Sequence, residues 1–175
     1  MSFQSAILNQ QGFGVPGELF TDSPYICKTY TIDSASAAYN LIGSTCCSIT
    51  SEGLCEAGSG GDLGFAGFLV DPKALALFGT GGQSLTPSLS VLDQTIVECL
   101  TMGTIVVQVP AACDIGDLVV YDNTTGSITT IAPAAALPVG KTFANATVAY
   151  FTPDAAGSQL AVIQVNPTLV IPQLA

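Results

Sequence analysis

The chain contains no histidine, no arginine and no tryptophan, and each absence argues against a class of function. Histidine is the usual general base of serine and cysteine hydrolases and the commonest ligand of catalytic metals. Carbohydrate subsites rely on aromatic platforms, so the lack of tryptophan argues against sugar handling. Together these absences predict a protein that is not an enzyme and has no catalytic residues.

Positive charge is equally scarce, because Lys28, Lys73 and Lys141 are the only cationic side chains. They are scattered along the chain, whereas binding to nucleic acid or to an anionic membrane surface requires clustered lysine or arginine. The sequence therefore predicts no nucleic acid and no membrane among the partners. The first residues lack a basic region ahead of an apolar stretch, so we expect residence in a cytosol.

Only 9% of the residues are charged, against about 25% in a typical soluble domain. The net charge is −10, and polarity comes mainly from 14 serines and 18 threonines. A surface with so few charges is more stable when a partner covers part of it. This composition indicates an assembly.

Paired carboxylates are the remaining route to catalysis, since a β-sandwich glycosidase needs only two of them. The nearest pairs are Glu52 with Glu56 and Asp114 with Asp117. Both pairs fall in predicted loops, where an acidic side chain usually caps a turn or faces solvent. We therefore assign neither pair to catalysis.

Asp62, beside two glycines, and Asp122, beside Asn123, offer oxygen atoms of the kind that calcium binds. Neither follows the twelve-residue calcium loop, and the run from Asp122 to Gly126 is better explained as a turn. The sequence predicts no metal and no cofactor.

Six cysteines are present, and no two of them have the C-x-x-C spacing that announces a zinc site. They are Cys27, Cys46, Cys47, Cys55, Cys99 and Cys113. Cys46 and Cys47 adjoin on a predicted strand, so their side chains should point to opposite faces. Most of the six are expected to be small, buried and reduced. A disulfide formed after release from the cell stays open, because six cysteines allow 15 connectivities.

Residues 1–24 are predicted to form an extended N-terminal arm, because glycines and Pro16 interrupt any helix. Spaced apolar residues in the arm are candidates for anchoring it on a partner. These candidate contacts are Phe3, Ile7, Leu8, Phe13, Val15, Leu19 and Phe20. The alternative is an arm folded back on its own domain.

Over residues 25–166, short β-branched or aromatic runs alternate with turn residues, which is typical of a β-sandwich or barrel. The nine candidate strands are 26–32, 45–50, 65–70, 95–100, 104–109, 118–121, 127–131, 144–151 and 160–165. Short connections between several of them require antiparallel pairing. Helical signal is confined to 34–40 and 72–77, which are too short to predict a stable helix. A C-terminal tail, 167–175, follows this single all-β domain.

Several segments, in this order, resemble the structural cement proteins of tailed bacteriophages. They are 11–19, 49–53, 65–73, 100–103, 115–117 and 121–126, within a resemblance that extends to about residue 165. The resemblance implies an antiparallel, jelly-roll-like β-sandwich or barrel. It also implies a non-enzymatic decoration protein on the outer capsid surface of the virion, added after assembly in the host cytoplasm. The cysteine count and the proline-containing tail depart from the family pattern.

The partner implied by the resemblance is the major capsid protein, whose neighbouring subunits such a module cements. The resemblance further implies self-association as a homodimer, with a trimer as the alternative. A second hypothesis from the residues is a ligand- or carbohydrate-binding β-sandwich module of a phage tail or fibre.

Overall fold

The structure, a computed structural model, describes residues 14–20, 24–58, 64–71, 90–153 and 159–166. Within these ranges it contains nine β-strands and one 3-10 turn, Ala37–Tyr39. The strands are β1 Ile26–Thr31, β2 Cys46–Ile49, β3 Cys55–Ala57, β4 Gly64–Leu69, β5 Ile96–Gln108, β6 Leu118–Asp122, β7 Ile128–Ile131, β8 Lys141–Pro153 and β9 Gln159–Val165. The prediction of an all-β fold is confirmed.

The strands pair antiparallel in the order β3-β2-β4-β5-β9-β8-β6-β7, with β1 added on β5. The sheet curls until its two ends meet. Thr45, just before β2, bridges Ser127, just before β7. The Cys46 N–H also donates to the carbonyl of Gly126 at 2.9 Å. These bonds join the β3-β2 end of the sheet to the β6-β7 hairpin.

Strand β5 runs through both halves of the sheet. Its first half pairs with β1 and β4, and its second half, from Gly103 to Gln108, pairs with β9. The prediction of two strands, 95–100 and 104–109, is therefore wrong, because the chain stays extended between them. Gly103 permits this with a φ of 126°, at a point where an added Cβ would lie 2.7 Å from the Cβ of Tyr25.

The expectations for the short elements and for the C-terminal tail have separate outcomes. The short strand β3 was not predicted, and it forms by pairing Ser48 with Glu56 on β2 and β3. The turn expected at 34–40 is present as the 3-10 turn, with the hydroxyl of Ser36 accepting from the Ala38 N–H at 3.3 Å. The predicted helical stretch 72–77 and the tail 167–175 lie outside the described residues.

Two apolar cores lie on opposite faces of the β2-β4-β5 region. The first core fills the inside of the curled sheet, and the second packs against its other face. Cys46, Phe68 and Leu100 belong to the first core. Their chain neighbours Cys47 and Cys99 belong to the second, which confirms that Cys46 and Cys47 point to opposite faces.

Residues 14–20 lie along the second half of β5, on the side that β9 leaves open. The Gly17 N–H donates to the Val106 carbonyl at 2.8 Å, and the Val106 N–H donates to Glu18 at 2.9 Å. The Phe20 N–H donates to the Thr104 carbonyl at 3.0 Å. This part of the predicted arm is thus paired with its own domain.

A substitution at Gly17 tests how closely residues 14–20 pack against the domain. Its φ is 87°, and an added Cβ would overlap Ile42 and lie 2.9 Å from the Asp71 N. Gly17→Ala should lower the free energy of unfolding by about 2–4 kcal/mol, from backbone strain plus overpacking. Denaturant unfolding measures this.

Gly116 is the matched control, because its φ is 94° and an added Cβ would meet nothing within 4 Å. Gly116→Ala should cost only the backbone strain, about 1–2 kcal/mol. Equal losses in the two variants would contradict the close packing of residues 14–20.

Candidate interaction surface

The seven predicted arm contacts divide into two groups. Four lie outside the described residues: Phe3, Ile7, Leu8 and Phe13. Val15 is exposed and free to meet a partner. Leu19 bridges Ile105 and packs against the first core, and the ring of Phe20 lies 5.9 Å from that of Tyr150. Leu19 and Phe20 therefore use part of their apolar surface within the domain.

Residues 132–140 form a connection that we call the crossover loop. Strand β7 ends at Ile131, which is paired with Leu118 at the start of β6. Strand β8 begins at Lys141, which is paired with Asp122 at the end of β6. Because β6 lies between β7 and β8, the loop must travel back along the length of β6.

The crossover loop has an unusual composition for an exposed segment. All nine residues are exposed, and none has a polar side chain. Leu137 is 40% exposed and Val139 is fully exposed. Contiguous exposed apolar surface makes the crossover loop a candidate interaction site. The sequence did not predict this segment as a contact, because a run of nine residues without a polar side chain is equally typical of a buried segment.

Both ends of the crossover loop are held by hydrogen bonds. The Ala135 N–H donates to Ala132 at 2.9 Å, which makes a turn at the start. The Asn123 N–H donates to Gly140 at 2.9 Å, which ties the end to the β6-β7 hairpin. The loop is therefore tied to the domain at its end, close to Val139.

Further exposed apolar side chains lie on and beside β1. Tyr25 precedes this strand, Ile26 begins it, and Ile96 lies at the far end of the pair that β1 makes with β5. Among the described residues β5 is the one strand that pairs with β1, and Ile32, directly after β1, bridges Cys55 of β3.

The cationic side chains in the described ranges are Lys28 and Lys141. Lys28 is exposed on β1, whereas Lys141, on β8, donates from Nζ to Thr129 Oγ1 at 2.6 Å. They lie on strands that do not neighbour each other, so they do not form a basic patch. The described part of the chain also has no helix with the length and apolar character needed to cross a membrane.

The predicted turn at Asp122 is confirmed. Asp122 Oδ1 accepts from the N–H groups of Thr124 and Thr125, both at 2.9 Å. The N–H of Gly126, with a φ of 71°, closes the turn onto the Asp122 carbonyl at 2.9 Å. These N–H donors, Thr125 first, lower the pKa of the Asp122 carboxyl.

The two carboxylate pairs occupy surface positions. Asp117 Oδ2 accepts from the Asp114 N–H at 2.9 Å, so this pair closes a turn, as predicted. Glu52 is exposed in the turn between β2 and β3, and Glu56 is half-buried on β3. Asp62 lies outside the described residues.

The lowered pKa of Asp122 predicts a pH dependence of stability. Because the carboxyl has a lower pKa when folded than when unfolded, its contribution is complete above about pH 5 and is lost as pH falls below about 4. Asp122→Asn keeps an acceptor oxygen but removes the charge. We expect it to lower the free energy of unfolding at pH 7 by about 0.5–1 kcal/mol, since the group is only half-buried and solvent screens its charge.

Urea unfolding at pH 7 and at pH 3 measures the effect. The difference between the two proteins should shrink at the lower pH, because the pH is then falling toward the lowered pKa of the native carboxyl. A difference that stays constant between these pH values would contradict the assignment.

Three of the six cysteines come together in the second core. The Sγ atoms of Cys47, Cys55 and Cys99 all lie within 4.8 Å of one another, and all three side chains are fully buried. Hydrogen bonds from Cys47 and then Cys99 lower the pKa of the Cys55 thiol. Five of the six cysteines are buried, as expected, but the cluster was not predicted.

A pocket of about 270 Å³ lies between the start of β7 and the end of β5. Its lining is Ser44, Gln108, Val109, Pro110, Ser127, Ile128 and Thr129. None of these side chains is aromatic or charged, and the volume is below that of ordinary ligand sites. The pocket gives no support to the ligand- or carbohydrate-binding hypothesis.

Comparison with known proteins agrees with the all-β fold. A family model described as "Structural cement protein (E217 gp24/Pam3 gp6)" matches residues 3–166. A solved chain from "The capsid of Myoviridae Phage XM1" is similar in fold, with a TM-score of 0.59 and 19% sequence identity. The similarity covers 97% of this chain and 100% of that chain. No curated protein sequence matches.

Proposed function

We propose, on the premise that the chain belongs to the phage structural cement protein family, that it binds the outer surface of a phage head and cements neighbouring major capsid subunits. Membership in this family makes it a structural protein of the virion that associates with capsid proteins. The proposal adds that the chain binds the outer surface of the head, that it bridges neighbouring capsid subunits, and that it acts without catalysis.

The crossover loop is the observation that carries the proposal. A fully exposed apolar side chain such as Val139 gains free energy when a partner removes it from water, at about 25 cal/mol per Å². The nine exposed residues of the loop have no polar side chains, so a partner can cover them without desolvating a side-chain polar group. A capsid surface that covers them would be bound through apolar contact, which also fits the low charge of the chain.

The N-terminal arm supplies the second proposed contact. We assign Phe3, Ile7, Leu8 and Phe13 to the capsid, together with the exposed Val15. Leu19 and Phe20 anchor the arm, because residues 14–20 pair with β5. An arm held at one end can lie across a neighbouring subunit and bind it through backbone hydrogen bonds and alternate apolar side chains.

Self-association as a homodimer is also proposed. Tyr25 and Ile26 support it, because exposed apolar side chains favour contact with a second copy. A dimer carries two crossover loops, so it would bind two neighbouring capsid subunits with higher avidity than a monomer.

Val139→Asp tests the crossover loop. The substitution places a charge in the proposed contact, where it would be desolvated without a partner, so affinity for heads lacking this chain should fall tenfold or more, roughly 1.4 kcal/mol or above. The folded domain should be unaffected because Val139 is fully exposed. Co-sedimentation with undecorated heads measures affinity, and thermal unfolding monitors the fold.

Leu92→Asp is the matched control, since Leu92 is 72% exposed and lies before β5, next to Val91 of the second core. It should leave head binding unchanged. Equal binding by the Val139 variant and the native protein would remove the loop from the interface.

Deleting residues 1–13 tests the arm separately. The shortened chain keeps the paired segment 14–20, so its unfolding temperature should equal that of the full chain. Binding to undecorated heads should be lost or greatly weakened. A companion deletion of residues 1–20 should lower the unfolding temperature as well, because it removes the hydrogen bonds to β5. Full affinity after the shorter deletion would refute a role for the arm.

A further inference from the structure

The cysteine cluster results from the pairing of strands that are distant in sequence. Cys47 lies on β2, Cys55 on β3 and Cys99 on β5. Strand β4 separates β2 from β5, but the residue of β4 that pairs with Cys47 is Gly67, which has no side chain. The sulfurs can therefore approach one another across the intervening strand.

The side chains that share the second core with the cluster are apolar. All three cysteines belong to the second core, whose other fully buried members are aliphatic. These neighbours are Ile32, Ile42, Ala66 and Leu69, with Val91 and Val97 nearly as buried. A buried cysteine packs as a small apolar side chain, so it can pack against any apolar neighbour. Packing alone therefore does not require the three thiols to face one another.

We propose that Cys47, Cys55 and Cys99 form a binding site for a soft, thiophilic metal cation, and that Cu(I) is the cation that fits best. Soft thiolate ligands select Cu(I), zinc and iron–sulfur clusters over hard cations. The three sulfurs lie within 4.8 Å of one another, so small movements bring them to a common ion. Each cysteine that binds as a thiolate releases its proton to solvent.

The number of ligands distinguishes Cu(I) from zinc. Structural zinc is almost always held by four protein ligands in a tetrahedron. Among the described residues the cluster contains three ligand atoms, and the chain has no histidine to add. Full burial leaves no access for a water ligand. A d10 monovalent copper ion is satisfied by three sulfurs in a plane. The bound ion would link β2, β3 and β5 within the second core.

Titration of the reduced, full-length protein with Cu(I), presented with a competing chelator and without oxygen, tests the proposal. We expect one copper per chain, the ultraviolet absorption of copper–thiolate bonds, and a rise in unfolding temperature. Zinc offered in the same way should bind more weakly. The proposal would be overturned if the protein failed to take copper from the competing chelator. It would also be overturned if protein purified without reductant contained an intramolecular disulfide among these three cysteines.

Cys47→Ala and its neighbour Cys46→Ala form a matched pair. Both cysteines are fully buried on β2, but Cys46 faces the first core. Cys47→Ala should lose copper binding, and Cys46→Ala should keep it. Loss of binding in both variants, each shown to be folded by circular dichroism, would contradict the site. The titration of the native protein tests copper binding without any variant.

Discussion

The continuity of β5 is the constraint on which the rest of the structure depends. Ile105 and Val107 of this strand lie in the first core, while Val97 and Cys99 lie in the second. Strands β1, β4 and β9 and residues 14–20 all form hydrogen bonds with it. Neither core can therefore form without ordering part of the other, and we infer that the domain unfolds as one cooperative unit.

Local signals in the sequence predicted much of the fold. The β-branched runs identified eight of the nine strands, and the Asp122 turn followed from side chains that bond to the backbone two and three residues ahead. The break assumed at Gly103 was wrong because a glycine in a strand is also compatible with close packing, here by Tyr25. Strand β3 exists through its pairing with β2, which no local pattern records.

The candidate sites depend on information that the sequence does not carry locally. An apolar run such as 132–140 has the composition of a buried segment, and only the fold shows that it crosses the surface. The cysteine cluster lacks the C-x-x-C spacing, because its members come from three strands and meet only after the sheet has formed. Conversely, the scarcity of charge predicted a covered surface without indicating which surface it was.

The surface chemistry suits a protein that acts by contact. Pro133 and Pro138 fix φ within the crossover loop, so little conformational entropy is lost when a partner covers it. A ligand that binds an assembled shell in preference to its free subunits stabilises the shell by mass action. Many weak contacts of this kind, repeated over a lattice, need no strong ion pairs, which agrees with the shortage of lysine and the absence of arginine.

The pairing of residues 14–20 with β5 also limits how far from the domain the preceding residues can reach. Gly14 lies against the side chain of Val106, so the point from which the preceding chain departs is fixed on the domain. Eleven residue steps separate Phe3 from Gly14. A fully extended chain advances at most about 3.6 Å per residue, which gives a maximum span of about 40 Å. Any contact made by Phe3 must therefore lie within about 40 Å of Gly14.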